Sequence, residues 1–394
     1  MLEKIKSLSE KYFSETQSYR HHIHANPELS FQEYETSAFI QSQLKQLGID
    51  FEVKADTGIV AHVYGKNAEK KVVALRADID ALPIQETNEV PYKSKNAGIM
   101  HACGHDVHTS SLLTSLKILN ETKAEWEGTV KAIFQPAEEK LPGGASIMIK
   151  EGALENPKAS SIVGQHVMPL IEAGKVGFRS GKYMASTDEL YIKVIGKGGH
   201  GAMPHLNIDP VLIASHMIVA LQQVVSRNAD PKLPSVLSFG KVIANGATNV
   251  IPNEVYIEGT FRTLDEEWRA KAHEHIKKIA SGVVESMGGK LELEIRKGYP
   301  FLINDEAVTM RARTAAEEYL GKENVLDLDI WMAAEDFAYY SQVMPASFYR
   351  LGTGNMAKEI TASVHTPNFN IDEESLKIAP GLMAWIAVKE LEGK

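Results

Sequence analysis

Apolar positions recur every three to four residues over about residues 2–18 and again over about 31–47, which predicts two amphipathic helices at the start of the chain. Beyond them the pattern changes to short apolar runs that end in polar residues able to bind metal. "KKVVALRADID" predicts a buried strand through Val72 to Leu75 that ends at Asp78 and Asp80. "TVKAIFQPAEEK" predicts one through Val130 to Phe134 ending at Glu138 and Glu139, and "SSIVGQHV" one through Ile162 and Val163 ending at His166. Helical stretches such as "TSSLLTSLKIL" separate these runs, so the order is strand, helix, strand with a mostly parallel sheet. Ligands of open α/β sheets bind beyond the carboxyl ends of the strands, so Asp, Glu and His converge on one edge.

The pattern differs from about residue 186 to 297. "DELYIKVIGKGG" alternates as a strand does, "DPVLIASHMIVALQQVVSRN" reads as a long helix, and "PSVLSFGKVIA" and "NEVYIEGTFRTL" are two more strands. "DEEWRAKAHEHIKKIASGVVESM" is a helix opened by acidic residues, and "KLELEIRKG" alternates again. The order β-α-β-β-α-β is that of a ferredoxin-like unit. The chain resumes with a helix near 306–320, a strand in "ASFYRLGTG" and a final helix from about 373. The expected fold is therefore α/β, a mixed, mostly parallel sheet flanked by helices. Residues 1–185 and 298–394 form a discontinuous catalytic domain, and 186–297 form an inserted α+β domain.

The length of 394 residues agrees with two domains, since it exceeds what one hydrophobic core usually serves. A net charge of -9, with no long Lys/Arg block to offset it, argues against nucleic acid or an anionic membrane as partner and leaves small molecules. The opening "MLEKIKSLSEKYF" lacks the continuous apolar core of a signal peptide, and no apolar run approaches the roughly 20 residues of a membrane span. With one cysteine, the expected setting is the cytoplasm.

"MHACGHDVH", residues 100–108, holds that cysteine among three histidines and an aspartate. Cys103 has no disulfide partner, so it is a buried filler, a nucleophile or a metal ligand. Cys103, His105 and His108 stand just before an apolar helix whose dipole favours a thiolate. Alone the cluster reads equally as a packed loop; joined by Glu139, His166 and the remote His365 of "SVHTPNF", it becomes a mixed N, O and S donor set. Asp106 either approaches the same place or caps the helix. Glu138 and Glu139 would be a solvated surface pair elsewhere, but adjacent residues of an extended segment point in opposite directions. At a metal site one can bind the ion while the other faces a water whose pKa the metal lowers to ~7, and takes its proton.

Seven ordered motifs, "RHHIHANPELSFQE", "RADIDALP", "MHACGHDVHT", "FQPAEE", "GGHGAMPH", "NVIPN" and "AAEDFAYY", resemble those of the M20 metallopeptidases. The resemblance is to the amidohydrolase branch that includes aminoacylases, hippurate hydrolases and auxin-conjugate hydrolases, and it spans about residues 20–385. It implies a zinc-peptidase-like catalytic domain with two divalent ions per subunit, Mn²⁺ ahead of Zn²⁺, Co²⁺ or Ni²⁺. It also implies that the insert is a lid through which the chain forms a homodimer or a higher homo-oligomer. Residue by residue it implies Cys103, His105, Glu139, His166 and His365 as metal ligands and Glu138 as general acid/base. Other branches carry a ligand histidine where this chain has Arg76, and in this branch a cysteine ligand accompanies that loss, so Cys103 is expected as a metal-bound thiolate. Asp78 is left to orient a ligand.

In the insert the resemblance gives His200 the stabilisation of the oxyanion in a partner subunit's site, and gives Asn249 and Arg262 the substrate carboxylate. Arg suits that task through its bidentate fork; otherwise Arg262 is a solvated strand charge. "GKGGHGAMPH" also reads simply as a Gly-rich turn before a helix starting at Asp209-Pro210. The histidines of "RHHIH", with His62, His216, His273 and His275, are read as surface or packing residues. The expected reaction is cleavage of an N-acyl-L-amino acid, with N-acetyl amino acids, N-acetylated diaminopimelate, hippurate and indole-acyl conjugates as candidates. A dipeptidase or carboxypeptidase would use the same site. A thiol amidase with Cys103 as nucleophile and His105 or His101 as base is a second chemistry. A non-catalytic metal scaffold is a third, against which the Glu138 and Glu139 doublet counts.

Overall fold

The amphipathic N-terminal stretch, in a computed structural model that describes residues 1–393, is two helices, α1 (Leu2–Lys11) and α2 (Phe13–Ala25), broken at Tyr12. The second runs to residue 25 rather than about 18 because its inward face carries polar residues, Thr16, Arg20 and His24, that hydropathy does not read as buried. Helix α3 (Tyr34–Gln46) stops before Gly48, whose φ of 63° is the left-handed turn that glycine adopts without a Cβ clash. A hairpin that the apolar runs did not mark follows, β1 (Asp50–Lys54) and β2 (Gly58–Tyr64).

Strand β3 (Val72–Asp78) is buried at all seven positions, as is β4 (Thr129–Gln135), with α4 (His105–Glu121) between them in sequence. After α5 (Gly144–Lys150) come β5 (Ser161–Glu172), β6 (Val176–Phe178) and β7 (Gly181–Met184). The insert contains β8 (Asp188–Ile195), β9 (Gly199–His200), α6 (Pro210–Leu221), β10 (Ser235–Ile243), β11 (Val250–Ile251), β12 (Glu254–Thr263), α7 (Glu266–Ser286) and β13 (Lys290–Lys297). The chain returns through β14 (Leu302–Asn304), α8 (Glu306–Leu320), β15 (Val325–Asp327), α9 (Ala338–Val343), β16 (Ala346–Gly354) and α10 (Ser375–Glu392). Among the described residues, no helix is long and apolar enough to cross a membrane.

Two compact units result. The first contains Met1–Lys182, Ile303–Ile330 and the chain from Asp336; the second contains Tyr183–Leu302 and Trp331–Glu335. The sequence reading put the insert at 186–297, a few residues short at each end and without the 331–335 segment, which has no periodicity of its own and joins the second unit by backbone bridging of Trp331 to Met184.

The first unit is built on an eight-stranded mixed sheet of order β1-β2-β4-β3-β5-β16-β6-β15. Its centre is parallel: β4 to β3, β3 to β5 and β5 to β16. The registers Asp78 with Gln135, Arg76 with Gly164 and Arg350 with His166 put Gln135, Asp78, His166 and Arg350 level across four adjacent strands. Helices α10, α4, α2 and α1 pack together, and one apolar core runs from Leu75 and Val163 through Leu113 and Leu116 to Leu382 and Ile386.

The second unit is a four-stranded antiparallel sheet of order β10-β12-β8-β13 carrying α6 and α7, with its own core of Leu190, Ile192, Ile213, Met217, Ile257, Ala272 and Ile276. Both helices start as the sequence dictates. Asp209 caps α6 by accepting from Val211 N and Leu212 N ahead of Pro210, and Asp265 caps α7 by accepting from Trp268 N. Arg269, buried on α7, holds Asp188 at 2.5 and 2.9 Å and donates to the carbonyls of Thr187 and Gly298, where the chain enters and leaves the sheet. Arg269→Ala leaves the buried Asp188 carboxylate to His273 Nε2 at 2.6 Å and the Gly298 amide at 3.2 Å, and breaking such a buried pair typically costs about 3–5 kcal/mol. The expected outcome is a lower melting temperature for the second unit in calorimetry, with the first unit's transition unmoved.

Candidate metal centre

Gly104 brings the first donors into place. It precedes α4 with φ 83°, and a Cβ there would lie 2.5 Å from a Val167 methyl, so only glycine lets the "ACGHD" turn pack against β5. Cys103 and His105, on either side of it, thereby meet His166: Cys103 Sγ is 3.4 Å from His166 Nε2. The loop bearing His365 is pinned alongside, its amide donating to Ala102 O at 2.7 Å, which puts His365 Nε2 3.3 Å from Cys103 Sγ and 3.2 Å from Glu139 Oε1. His105 Nε2 lies 4.0 Å from the same Glu139 oxygen.

These atoms form overlapping triads: Cys103, His105 and His166; Cys103, Glu139 and His365; and His105, Glu138 and Glu139. The sulfur belongs to the first two. His105 Nε2 and Glu139 Oε1 are buried without a hydrogen-bond partner, an expensive state for polar atoms that a cation would relieve. A set of imidazoles, carboxylate and cysteine sulfur with orphaned atoms aimed at one another suits divalent transition metals. Burial alone would lower the pKa of His105, yet Asp78 and Asp80 outweigh it and raise it to about 10. His166 is pushed well below its ordinary value, first by burial and then by Arg350, which keeps it a neutral donor. The anionic field at His105 is one that a metal ion answers as a proton does.

Two aspartates, Asp80 and Asp78, stand behind the donors. Asp80, not Asp78, orients His105: the Nδ1 proton goes to Asp80 O at 2.9 Å and Oδ1 at 3.1 Å, leaving Nε2 facing inward. Asp78 instead accepts from His108 Nδ1 at 2.5 Å, and His108 Nε2 accepts the amide of Val167 at 2.9 Å, fixing the backbone beside His166. His166 Nδ1 in turn bonds Val167 O at 2.8 Å.

Asp106 neither caps α4 nor joins the donors. It sits inside the first turn, and the helix has no side-chain cap. Its Oδ2 accepts from Arg20 Nε at 3.0 Å and His24 Nδ1 at 2.9 Å, while His24 Nε2 lies 3.1 Å from Glu86 and Arg20 Nη1 2.7 Å from Glu373. Within "RHHIH", Arg20 and His24 thus belong to a buried ion network behind α4, which corrects the surface or packing reading of His24, while the exposed His22 and half-buried His21 stack on Phe39 and Tyr92. Burial raises the pKa of Asp106, but Arg20 and His24 outweigh it and hold the carboxyl well below the usual range. The imidazoles that meet the thiol are not the expected bases His105 and His101. Both ring nitrogens of His101 and Nε2 of His105 lack hydrogen-bond partners, and the imidazoles beside the sulfur are those of His166 and His365.

In the second unit β9 pairs with β11, His200 opposite Val250, and Gly201 N donates to Asn249 O at 2.9 Å, so His200 and Asn249 stand side by side, both exposed. Arg262 is elsewhere, half-buried near the end of β12, with Nη1 donating to Met332 O at 3.2 Å. Eight residue steps along β12, at ~3.3 Å each, carry Arg262 ~26 Å from Glu254, the end of the strand that follows β11.

The model of peptidase family M20/M25/M40 matches residues 74–388. The chain belongs to that family. A Bacillus subtilis protein named N-acetyl-L-cysteine deacetylase is 42% identical over 358 residues, covering 91% of this chain and 83% of its own. The N-acyl-L-amino acid amidohydrolase of Geobacillus stearothermophilus is 41% identical over 303 residues, covering 77% and 81%. The crystal structure of the Bacillus subtilis YXEP protein, described as a dinuclear metal-binding M20 peptidase, superposes with TM-score 0.83 at 35% identity over 98% of this chain and 99% of its own. As an M20 chain the protein is a hydrolytic enzyme acting on amide bonds.

Its donor set generates a direct test. EDTA should abolish amide hydrolysis and lower the melting temperature, because ions that bind only the folded centre stabilise it, and a divalent ion should restore both. Full activity in a sample shown by elemental analysis to be metal-free would return the thiol to consideration as nucleophile.

Proposed function

We propose that this M20 enzyme is a dinuclear N-acyl-L-amino acid amidohydrolase, with Cys103, His105, Glu139, His166 and His365 holding the ions and Glu138 as general acid/base. The observation that carries it is the Glu138 and Glu139 doublet beside the cluster: Glu139 is within reach of His365 and His105, while Glu138, in the triad with both Glu139 and His105, accepts from the amide of Asp336 at 3.4 Å. Two divalent ions, Mn²⁺ first and Zn²⁺, Co²⁺ or Ni²⁺ as alternatives, would polarise the scissile carbonyl and acidify a water at pH 7. Glu138 takes the proton of that water as its oxygen bonds the carbonyl carbon. The same carboxyl then delivers the proton to the amide nitrogen as the C–N bond breaks, releasing a carboxylate and a free amino acid. Relatives named for N-acyl amino acids and N-acetylcysteine support this substrate class. The one cysteine, required as a thiolate, favours a reducing cytoplasmic setting.

His200, Asn249 and Arg262 complete the reading, His200 on the oxyanion and the other two on the substrate carboxylate. The ~26 Å that β12 spans from Glu254, just after the ribbon strand β11, to Arg262 is far longer than an amino acid and favours a homodimer in which one copy supplies the ribbon to the site its partner forms. Val211, Leu212 and Val219 on α6 and Val242 on the edge strand β10 are exposed apolar residues, and an open edge strand beside an apolar helix is a surface suited to a second copy.

Glu138→Gln should cut turnover by ~10² or more with metal content near wild type, as lost general acid/base catalysis does, while Glu139→Gln should lose metal. The reverse assignment would follow from the opposite pattern in elemental analysis and initial rates. Mixing inactive His200→Ala with Glu138→Gln under subunit exchange should restore activity up to about a quarter of wild type, since one site in each random heterodimer receives both intact residues. Verified heterodimers without recovery would remove the trans role of His200. Arg262→Ala should raise KM for acyl amino acids and matter far less when the substrate carboxylate is amidated.

A further inference from the structure

The catalytic doublet sits on a backbone turn that a distant part of the chain holds. Ala137, which precedes it, has φ 50°, a left-handed conformation unfavourable to a residue with a Cβ. Around the turn there is no slack. A Cβ on Gly144 would fall 1.8 Å from Pro136 O, and one on Gly58 2.8 Å from the Pro136 ring. Gly144 N donates to Ala137 O at 2.9 Å. The opposite polar group, Ala137 N, donates at 2.8 Å to Glu33 Oε1, from a segment more than a hundred residues earlier. Glu33 is fully buried. Its Oε1 also accepts from Phe31 N at 3.0 Å and its Oε2 from Thr57 Oγ1 at 2.8 Å. Three residues before it, Ser30 Oγ donates at 2.7 Å to Asp80 Oδ2, and that same oxygen accepts the amide of Glu139 at 3.0 Å. The "SFQE" segment, residues 30–33, therefore grips the amides on either side of Glu138, one directly and one through Asp80.

We propose that Glu33 is a positioning residue for the reaction, holding the Ala137 amide so that the Glu138 carboxyl is aimed at the attacking water. The two grips have separable consequences. Asp80 bonds both His105 and the Glu139 amide, so its loss disturbs ion binding. Glu33 bonds the amide one residue before Glu138 and touches none of the five donors, so its loss misaims the acid/base and spares the ions. The bond needs an acceptor at Oε1, not a charge. A glutamine can accept there from both amides and turn its NH₂ toward the Thr57 hydroxyl, which is free to rotate and accept.

This inference rests on Glu138 as the acid/base, and the test separates the two. Glu33→Ala, Glu33→Gln, Asp80→Asn and Glu138→Gln are purified and compared for metal content by elemental analysis, melting temperature, kcat and KM. Glu33→Ala should retain metal and KM near wild type while kcat falls ~10- to 100-fold, the scale of a misplacement of about an ångström. Glu33→Gln should restore kcat to within about threefold of wild type, and Asp80→Asn should lose metal affinity ~10- to 100-fold. If Glu33→Ala does not fold, Glu33→Asp, which keeps the charge but withdraws the carboxylate by a methylene, must show the same selective fall in kcat. Wild-type kcat in the Ala or Asp variant, metal loss matching the kcat loss, or a Gln variant as impaired as Ala would overturn the positioning role. Unimpaired turnover in Glu138→Gln would instead overturn the acid/base assignment, whatever Glu33 does.

Discussion

A guanidinium in the middle of a fully buried strand is the constraint around which the first unit is organised. Arg76 lies on β3 with no exposed surface, and a buried charge is tolerated only where partners replace its hydration. The partners come from three segments: Asp78 Oδ2 at 2.6 Å, Gln135 Oε1 at 3.0 Å and Asp336 Oδ1 at 2.9 Å. Asp336 also accepts from Gln135 and from Ala145 N, so the same carboxylate ties β4 and the start of α5 to the guanidinium. From Asp78 the order passes to His108, then to the amide of Val167, beside His166. Each link uses the free half of the preceding group, and none would be fixed without the first.

A second set of buried charges holds the opposite side of the donor cluster. Arg20 and His24 on α2 clamp Asp106, one residue past His105, so the first turn of α4 is held by ion pairs from behind while Gly104 packs on Val167 in front. Core apolar contacts stabilise the sheet and helices, but they would not distinguish one rotamer of His105 from another. Directional bonds from Asp80, Asp78 and Asp106 do that, consistent with the rule that a site is only as precise as the groups behind its ligands.

The legible part of the sequence was the part with period. Strands of continuous apolar residues and helices capped by Asp209 and Asp265 announce themselves, as do donors grouped in "HACGHD" and "PAEE". What escaped was polar burial. Arg20, His24, Glu33 and Asp106 are enclosed, yet a charged residue on a helix or loop reads as solvated until its partner, tens to hundreds of residues away, is known. A signal was present for Arg76 and Asp78. Two opposite charges two residues apart in a strand share one face, and in a run as apolar as "VVALRAD" that face had to be buried. The β1–β2 hairpin escaped for a simpler reason: β1 is mostly exposed and alternates weakly.

The position of Arg76 also bears on the sulfur. In the resemblance that the motifs carry, other branches place a ligand histidine where this chain places Arg76, so the proposed centre lacks one neutral donor and gains a positive charge close by. Asp78 and Asp336 balance that charge, each holding the guanidinium with one oxygen. A replacement donor has to come from another element and has to be anionic if the ions are to be held against Arg76. Cys103 meets both conditions: it arrives at the N-terminus of α4, where the helix dipole favours a thiolate, and its sulfur is shared by the triad with His105 and His166 and the triad with Glu139 and His365. With a neutral side chain at 103, Glu139 would be the one anion left among the five proposed ligands. In the proposed centre, the lone cysteine thus supplies the anionic donor that the arginine's carboxylate partners do not.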